Sequence, residues 1–146
     1  MKSVFYRLML VLVVASLALA GCAKPADQTT VVEDKPFRVA IIMPSSITDM
    51  AFSQSMYEGL LKIQQEMGGA AKMEIAFSEG MFNVPDAAAA IRDYASQGYD
   101  LVIAHGSQYG TSLQQIAPDF PKTSFAWGTA LDTFNKDGIT NVFAYQ

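Results

Sequence analysis

Short apolar runs alternate with longer segments of helical periodicity from residue 37 onwards, and this alternation restricts the fold more than any other feature. Residues 38–44 and 101–104 are almost wholly apolar, a pattern typical of strands buried on both faces of a parallel sheet. Residues 73–77 alternate apolar and polar side chains, and residues 125–127 and 142–145 are short apolar or aromatic runs. The sequence therefore predicts five strands.

Three predicted helices separate the first four of these strands. The first helix follows Asp49, which can cap it, and ends at Gly68. Residues 83–98 and 107–117 predict the second and third helices. Side chains spaced near 3.6 residues predict the buried stripe of the first helix: Phe52, Met56, Leu60, Ile63 and Met67. This order of elements predicts an α/β fold, an open parallel sheet with helices on both faces.

Polar and aromatic side chains occupy three predicted loops that follow strands: residues 45–52, 105–109 and 127–129. In open parallel sheets, ligands bind beyond the carboxyl ends of the strands, where the strand order reverses. An aromatic ring at a helix start can stack on a flat ligand while hydroxyl and backbone N–H groups hold its polar edge. The candidate ligand-binding residues are Ser45, Ser46, Asp49, Phe52, Ser53, His105, Ser107, Gln108 and Trp127.

Several of these residues also allow a purely structural interpretation. Phe52 either stacks on a ligand or begins the buried stripe of its helix, and Asp49 either contacts a ligand or caps that helix. His105 follows a buried strand, where a structural histidine and a binding histidine are both plausible. Trp127 is either part of the core or turned towards the cleft.

This chain lacks the combinations of residues that most classes of enzyme require. One histidine and one cysteine cannot form a zinc cluster, and no Gly-x-Ser-x-Gly or Gly-x-x-x-x-Gly-Lys-Ser/Thr motif occurs. The net charge of −4 argues against a nucleic-acid partner. We therefore expect a binding protein without a metal or cofactor, and rank a hydrolase on a similar sheet last.

The N-terminus has the features of a lipoprotein signal peptide. Lys2 and Arg7 precede an apolar segment, and Leu19-Ala20-Gly21-Cys22 forms a lipobox that holds the only cysteine. Cleavage before Cys22 removes residues 1–21, and acyl chains on that cysteine anchor the protein to a membrane. The predicted organisation is a signal peptide at 1–21, a lipidated cysteine and flexible tether at 22–36, and one domain at 37–146.

Four sequence blocks follow one another within residues 38–146: Arg38-Val-Ala-Ile-Ile42, Asp49-Met-Ala-Phe52-Ser-Gln-Ser55 running to Glu58-Gly59-Leu60, Gly98-Tyr-Asp-Leu-Val-Ile103 with Gly106, and Ala117-Pro-Asp-Phe-Pro121 with Phe125. In the order and spacing of these blocks, the chain resembles the basic membrane protein family of solute-binding lipoproteins. The resemblance implies the N-terminal lobe of a type I periplasmic binding protein, with the family's second lobe absent from this chain. The implied function is that of an extracytoplasmic receptor for an ABC importer, with a permease as partner and a purine nucleoside or related small molecule as solute.

The resemblance transfers unevenly to the site residues. Phe52 matches the family aromatic that stacks on the nucleobase, and Asp49 matches the acidic residue before it. Ser53 stands where the family has asparagine, and the family acids after the first strand and in the helix after the third strand are missing here. Two alternatives therefore stay open: a sugar-type solute, or a surface lipoprotein with an interaction role and no transport. Ala23 supplies no aspartate retention signal, so delivery to an outer membrane also stays open.

Overall fold

A computed structural model describes residues 35–146 of the chain. Its centre is a five-stranded, fully parallel sheet in the order β2-β1-β3-β4-β5. The strands are β1 (Phe37–Ile42), β2 (Met73–Ser78), β3 (Leu101–Ala104), β4 (Ser124–Gly128) and β5 (Val142–Tyr145). All five predicted strands are present, and the prediction of an open parallel sheet is confirmed.

The three predicted helices are also present, with shifted ends. They are α1 (Phe52–Glu66), α2 (Val84–Ser96) and α3 (Gly110–Ile116). Short 3-10 turns at 107–109 and 117–119 flank α3, and together they occupy the segment predicted as one helix. The link from β4 to β5 contains a further 3-10 turn at 135–137.

Alternate side chains of each strand enter two separate core layers, so that helices cover both faces of the sheet. Val39 and Ile41 of β1 pack with Leu60 of α1 on one face. On the other face, Ala40 and Ile42 pack in a layer that includes residues of α2 and α3 such as Ile91, Ala95, Leu113 and Ile116. Residues 39–42 of β1 are fully buried on both faces of the sheet, which explains their continuous apolar sequence.

The buried stripe of α1 agrees with the predicted one at Leu60, and Met56 packs against the same layer, but Ser53 is buried in place of Phe52. Ser53 and Leu60 are buried on the sheet side, and the Gln64 amide donates to the Met73 carbonyl at 2.8 Å. Ile63 and Met67, which the periodicity placed in the core, are exposed. One residue turns a helix by about 100°, so burial of Ser53 directs Phe52 away from the sheet side. Phe52 consequently lies off the buried stripe.

Two expectations concern the N-terminal part of the chain. The signal peptide at 1–21, Cys22 and the tether up to residue 34 lie outside the described residues, whereas Lys35 and Pro36 have no regular secondary structure. Among residues 35–146, no helix combines the length and the apolar character needed to cross a bilayer.

Candidate functional site

The candidate site lies at the carboxyl ends of β1 and β3. These strands are neighbours in the sheet, but α1 leaves β1 towards one face and α3 leaves β3 towards the other. The connections therefore diverge at this edge, the place where open parallel sheets bind their ligands. The loop after β3 stays attached to β1, because the His105 amide donates to the Ile42 carbonyl at 2.9 Å.

Three aromatic rings meet at this edge, and two of them stack face to face. The Phe52 ring lies on the His105 ring with centroids 3.8 Å apart and planes 13° apart. The Tyr145 ring is parallel to His105 within 10°, with centroids 6.1 Å apart, and its hydroxyl meets the edge of the imidazole at Nδ1. Phe52 is the outermost ring of the stack and is 39 % exposed, so it does not belong to the core.

His105 is the buried ring between Phe52, which stacks on it, and Tyr145, which bonds to it. It is 4 % exposed, its Nε2 lies 3.1 Å from the Phe52 carbonyl oxygen, and its Nδ1 lies 2.8 Å from the Tyr145 hydroxyl. A carbonyl oxygen can only accept, so Nε2 carries the proton, and in the neutral ring Nδ1 accepts from Tyr145. Burial lowers the pKa of His105, against the opposing effects of the Phe52 carbonyl and the Asp49 charge.

Tyr145 reaches His105 because of its position at the end of β5 and because of a glycine in β4. Tyr145 pairs with Gly128 in the parallel register, and a Cβ added to Gly128 would lie 2.7 Å from the tyrosine oxygen. A side chain at residue 128 would therefore displace the hydroxyl from His105. Burial raises the pKa of Tyr145, which keeps its hydroxyl protonated as a donor.

Asp49 organises the start of α1. Its Oδ1 accepts from the amides of Ala51 and Gln54 at 2.9 and 3.1 Å. Its Oδ2 accepts from the Ser53 amide at 3.1 Å and from the Ser45 hydroxyl. These four bonds hold the pKa of Asp49 well below its usual range, the Ser45 hydroxyl having the largest effect. They also occupy the four lone-pair directions of the carboxylate, leaving none for a ligand.

Ser45 and Ser53 extend this network into the protein. Ser53 is fully buried, and its Oγ lies 2.7 Å from the Ser45 Oγ while accepting the Ser45 amide at 3.3 Å. Because the Ser45 hydroxyl donates to Asp49, the Ser53 hydroxyl must donate to Ser45. Ser53 thus supports the loop from below, whereas Ser45 is partly exposed.

Ser46 belongs to a brace between the loops that follow β1 and β2. The Glu79 carboxylate accepts from the Ile47 amide at 2.7 Å and from the Ser46 hydroxyl at 3.0 Å. The Met81 amide donates to the Met43 carbonyl at 2.9 Å in the same region. The first loop is therefore held on one side by Glu79 and on the other by Asp49.

The remaining three candidates lie at the second and third loops. Ser107 is exposed at the start of the 3-10 turn, and the Gln108 side chain folds against Gly106. Trp127 is turned towards α3: its ring stacks on Phe134 with centroids 5.2 Å apart, and its indole N–H donates to the Gly106 carbonyl at 3.2 Å. Its ring therefore packs against the fold, and only part of it is exposed.

Large apolar side chains are exposed in three loops at the same edge of the sheet. Met50, Phe82 and Leu131 lie in the loops after β1, β2 and β4. Met50 and Thr129 also adopt positive φ values of 55° and 56°, a conformation that is costly for side chains of this kind. No lysine or arginine occurs in residues 43–51, 78–83, 105–109 or 129–133, the segments at the ends of β1 to β4.

The predicted site residues divide into those that face outwards and those that support them. Ser45, Ser46, Phe52, Ser107 and Gln108 are at least partly exposed at the carboxyl edge, whereas Ser53 and His105 lie beneath. Within the described residues, no group of three or more His, Cys, Asp or Glu side chains could hold a metal ion.

Sequence reasoning missed Tyr145 and Glu79. Tyr145 ends a predicted strand at the ligand edge, and Glu79 directly follows another, so both positions carried the signal used for the three loops. The strand order was the missing information, because it places the ends of β2 and β5 at the same edge as the three predicted loops.

The parallel sheet, the helices on both of its faces and the reversal of strand order at β1 and β3 define a doubly wound α/β lobe. The chain belongs to the Bmp family, described as ABC transporter substrate-binding protein PnrA-like, whose profile matches residues 37–146. The resemblance inferred from the sequence is thereby confirmed.

Individual relatives are distant and longer. The protein named transcriptional activator protein med from Bacillus subtilis (strain 168) is 28 % identical over 126 residues, covering 86 % of this chain and 36 % of that relative. The ABC transporter solute-binding protein from Conexibacter woesei DSM 14684 is 25 % identical with a TM-score of 0.60, over 73 % of this chain and 34 % of that one. A solute-binding protein from Aeropyrum pernix K1 shares the fold at 18 % identity and a TM-score of 0.60, over 75 % and 28 % of the two chains. The chain thus spans about a third of the length of the first two relatives.

Proposed function

We propose that the chain forms one wall of the solute site of an ABC importer's binding protein, and that the solute is a purine nucleoside or a related small molecule. The Phe52 ring carries this proposal, because it is supported on one face by His105 and is 39 % exposed. An aromatic ring that folding holds flat and open is suited to stack on a nucleobase.

The charges around Phe52 favour a neutral solute. Residues 43–51, 78–83, 105–109 and 129–133, at the ends of the first four strands, contain no lysine or arginine, so no cationic side chain in these segments can neutralise a phosphate or carboxylate. The Asp49 carboxylate is fully occupied by the protein's own donors, so it is not available to grip ribose hydroxyls. On this wall, recognition therefore depends on stacking, with Ser45, Ser46, Ser107 and Gln108 as the exposed polar groups.

We further propose that the protein works outside the cytoplasm as a lipoprotein, anchored through Cys22 to a membrane and delivering solute to a permease. The lipobox and the family of the domain support this, because a receptor for an importer must stay near its permease.

Solute binding by the full product of the gene tests the proposal. We expect adenosine, guanosine or inosine at 100 times its dissociation constant to stabilise the protein by about 2.7 kcal/mol, seen as a rise in Tm. We expect Phe52→Ala to weaken binding about 5- to 150-fold, because stacking on one ring contributes about 1–3 kcal/mol. Calorimetry would measure both dissociation constants.

The matched control is Phe37→Ala. Phe37 is 43 % exposed, close to the exposure of Phe52, but begins β1 at the opposite edge of the sheet. Its removal should leave the dissociation constant unchanged. Equal binding by Phe52→Ala and the parent would reject stacking on Phe52, and a Tm response to free sugars but not to nucleosides would favour the sugar-type alternative.

A second candidate function is an interaction role without transport. The relative named as a transcriptional activator favours it, since it is 28 % identical over 86 % of this chain. The acidic composition argues against direct contact with DNA, so such a role would act through another protein. A gene deletion that changes transcript levels while leaving uptake of radiolabelled adenosine intact would support this alternative over import.

A further inference from the structure

We propose that His105 is a positioning residue for Phe52, that Tyr145 holds it in its neutral Nε2–H form, and that protonation of His105 releases the solute. This inference rests on the proposed function, because it assigns a control to the same binding wall. It also makes claims about the unliganded protein that can be tested without any solute.

His105 acts through Phe52 because it cannot reach a solute itself. Its ring is 4 % exposed, one face is covered by Phe52 at 3.8 Å, and both nitrogens bond within the chain. The ring fixes Phe52 twice, since it stacks on the phenyl group and binds the carbonyl of the same residue. The backbone and the side chain of Phe52 are therefore held together by one neighbour.

In the neutral ring, the pattern of donors and acceptors fixes the Nε2–H tautomer. Nε2–H donates to the Phe52 carbonyl, so Nδ1 carries the lone pair and the Tyr145 hydroxyl donates to it. A second proton on Nδ1 would make the hydroxyl an acceptor, and the hydroxyl proton would then lose its partner on His105. The charged ring would also need hydration that it cannot obtain beneath Phe52.

The groups around His105 determine the direction in which its pKa is shifted. From the loop after β1, Asp49 favours the charged ring; from α1, the Phe52 carbonyl does the same; from β5, the Tyr145 hydroxyl binds the neutral ring. Burial outweighs the first two, so the pKa of His105 lies below the ordinary 6.5. The stack is intact at neutral pH and strained in acid, where hydration of the ring requires Phe52 to move aside.

The first test uses the unliganded protein and exploits the single histidine of the chain. We expect 15N NMR of His105 at neutral pH to show the Nε2–H tautomer, with a titration midpoint below 6.5. The Phe52 ring signals should move with the same midpoint. Tyr145→Phe removes the donor to Nδ1 and should raise that midpoint. The inference would be overturned by an Nδ1–H tautomer or by a midpoint at or above 6.5. It would also be overturned if the Phe52 signals did not change as His105 is protonated.

The second test follows adenosine binding with pH in the full product of the gene. We expect affinity to fall at least about tenfold between about pH 7.5 and about pH 5 in the parent, in step with His105 protonation. His105→Phe keeps an aromatic support but cannot titrate, so its affinity should stay level across this range. A parallel fall in His105→Phe would overturn the inference. If His105→Phe fails to fold, Tyr145→Phe replaces it, and its affinity should begin to fall at a higher pH than that of the parent.

The two tests separate the inference from the proposed function. If adenosine does not bind at any pH while the tautomer, the midpoint and the Phe52 response are as expected, then the proposed solute is wrong and the positioning of Phe52 by His105 stands. If adenosine binds with an affinity independent of pH, the proposed function stands and the control by His105 is wrong.

Discussion

Asp49 and Phe52 are three residues apart but have different surroundings: the Asp49 carboxylate bonds within the protein, whereas the Phe52 ring is partly exposed. The Asp49 carboxylate takes four hydrogen bonds from its own loop and helix, so the capping role foreseen from its position is present in the structure. Phe52, which begins α1, is the exposed member of the ring stack. Asp49 therefore fixes the start of α1, the helix whose first residue is Phe52.

Replacing Asp49 by asparagine should destabilise the protein in a pH-dependent way. The pKa of Asp49 is depressed in the folded state relative to its ordinary 3.8, so its contribution is fully present above that pH and declines as the pH falls further. We expect Asp49→Asn to unfold at a lower temperature than the parent at neutral pH. This difference should shrink below pH 3.8.

Thermal unfolding followed by circular dichroism across this pH range would measure the effect. Asp86→Asn is a suitable control, because Asp86 is an exposed acid in the first turn of α2. It should change the unfolding temperature less than Asp49→Asn does. Equal unfolding temperatures for Asp49→Asn and the parent at neutral pH would contradict the role assigned to Asp49.

At the scale of elements, the spacing of apolar residues in α1 predicted the helix but not all of the side chains that it buries. The existence and approximate ends of the helix followed from its cap and its terminal glycines, but the burial of Ser53 in place of Phe52 did not. The side that faces the sheet includes the polar residues Ser53 and Gln64, so contact with the sheet, and not apolar character alone, selected the buried face. The selected stripe starts at Ser53 and leaves Phe52 available.

The start of α3 depends on close approach to β4. Gly110 opens α3 with a helical φ of −55°, and an added Cβ would collide with the six-membered ring of the Trp127 indole. We expect Gly110→Ala to lower the free energy of unfolding by about 1–3 kcal/mol, the usual effect of overpacking. Urea denaturation would measure this change.

Gly59 provides the matched control for this substitution. It lies within α1, is exposed, and has nothing within 4 Å of an added Cβ. Gly59→Ala should therefore stabilise the protein by about 0.5–1 kcal/mol through the better helix propensity of alanine. If both substitutions stabilised the protein, the tight packing of Trp127 on Gly110 would be disproved.

At the scale of the whole molecule, the strand order assembles the site from distant parts of the chain. Phe52, His105 and Tyr145 come from three segments that span more than ninety residues, and the order β2-β1-β3-β4-β5 brings them to one edge. The domain matches its family from residue 37 to residue 146, and it covers about a third of the first two relatives.

Attachment of the whole protein to a membrane is predicted to depend on Cys22. In the native bacterium, the parent should incorporate radiolabelled palmitate and sediment with membranes, because two or more acyl chains hold a protein stably at a bilayer. Cys22→Ser should lose the label and should not be processed at residue 21. Label and sedimentation that persist in Cys22→Ser would reject lipidation at this residue.

The sequence by itself determined the α/β class, the five strands and the family of the domain, and it predicted the edge of the sheet at which the candidate site is proposed. These properties follow from local patterns: apolar runs, helical spacing, caps and short motifs, each contained within a few neighbouring residues. Only the tertiary structure decided that Phe52 lies off the buried stripe, that Asp49 has no lone pair to spare, and that Tyr145 supports His105. Those outcomes depend on how a helix is rotated on the sheet and which strands are neighbours, and both are set by packing between segments distant in the chain.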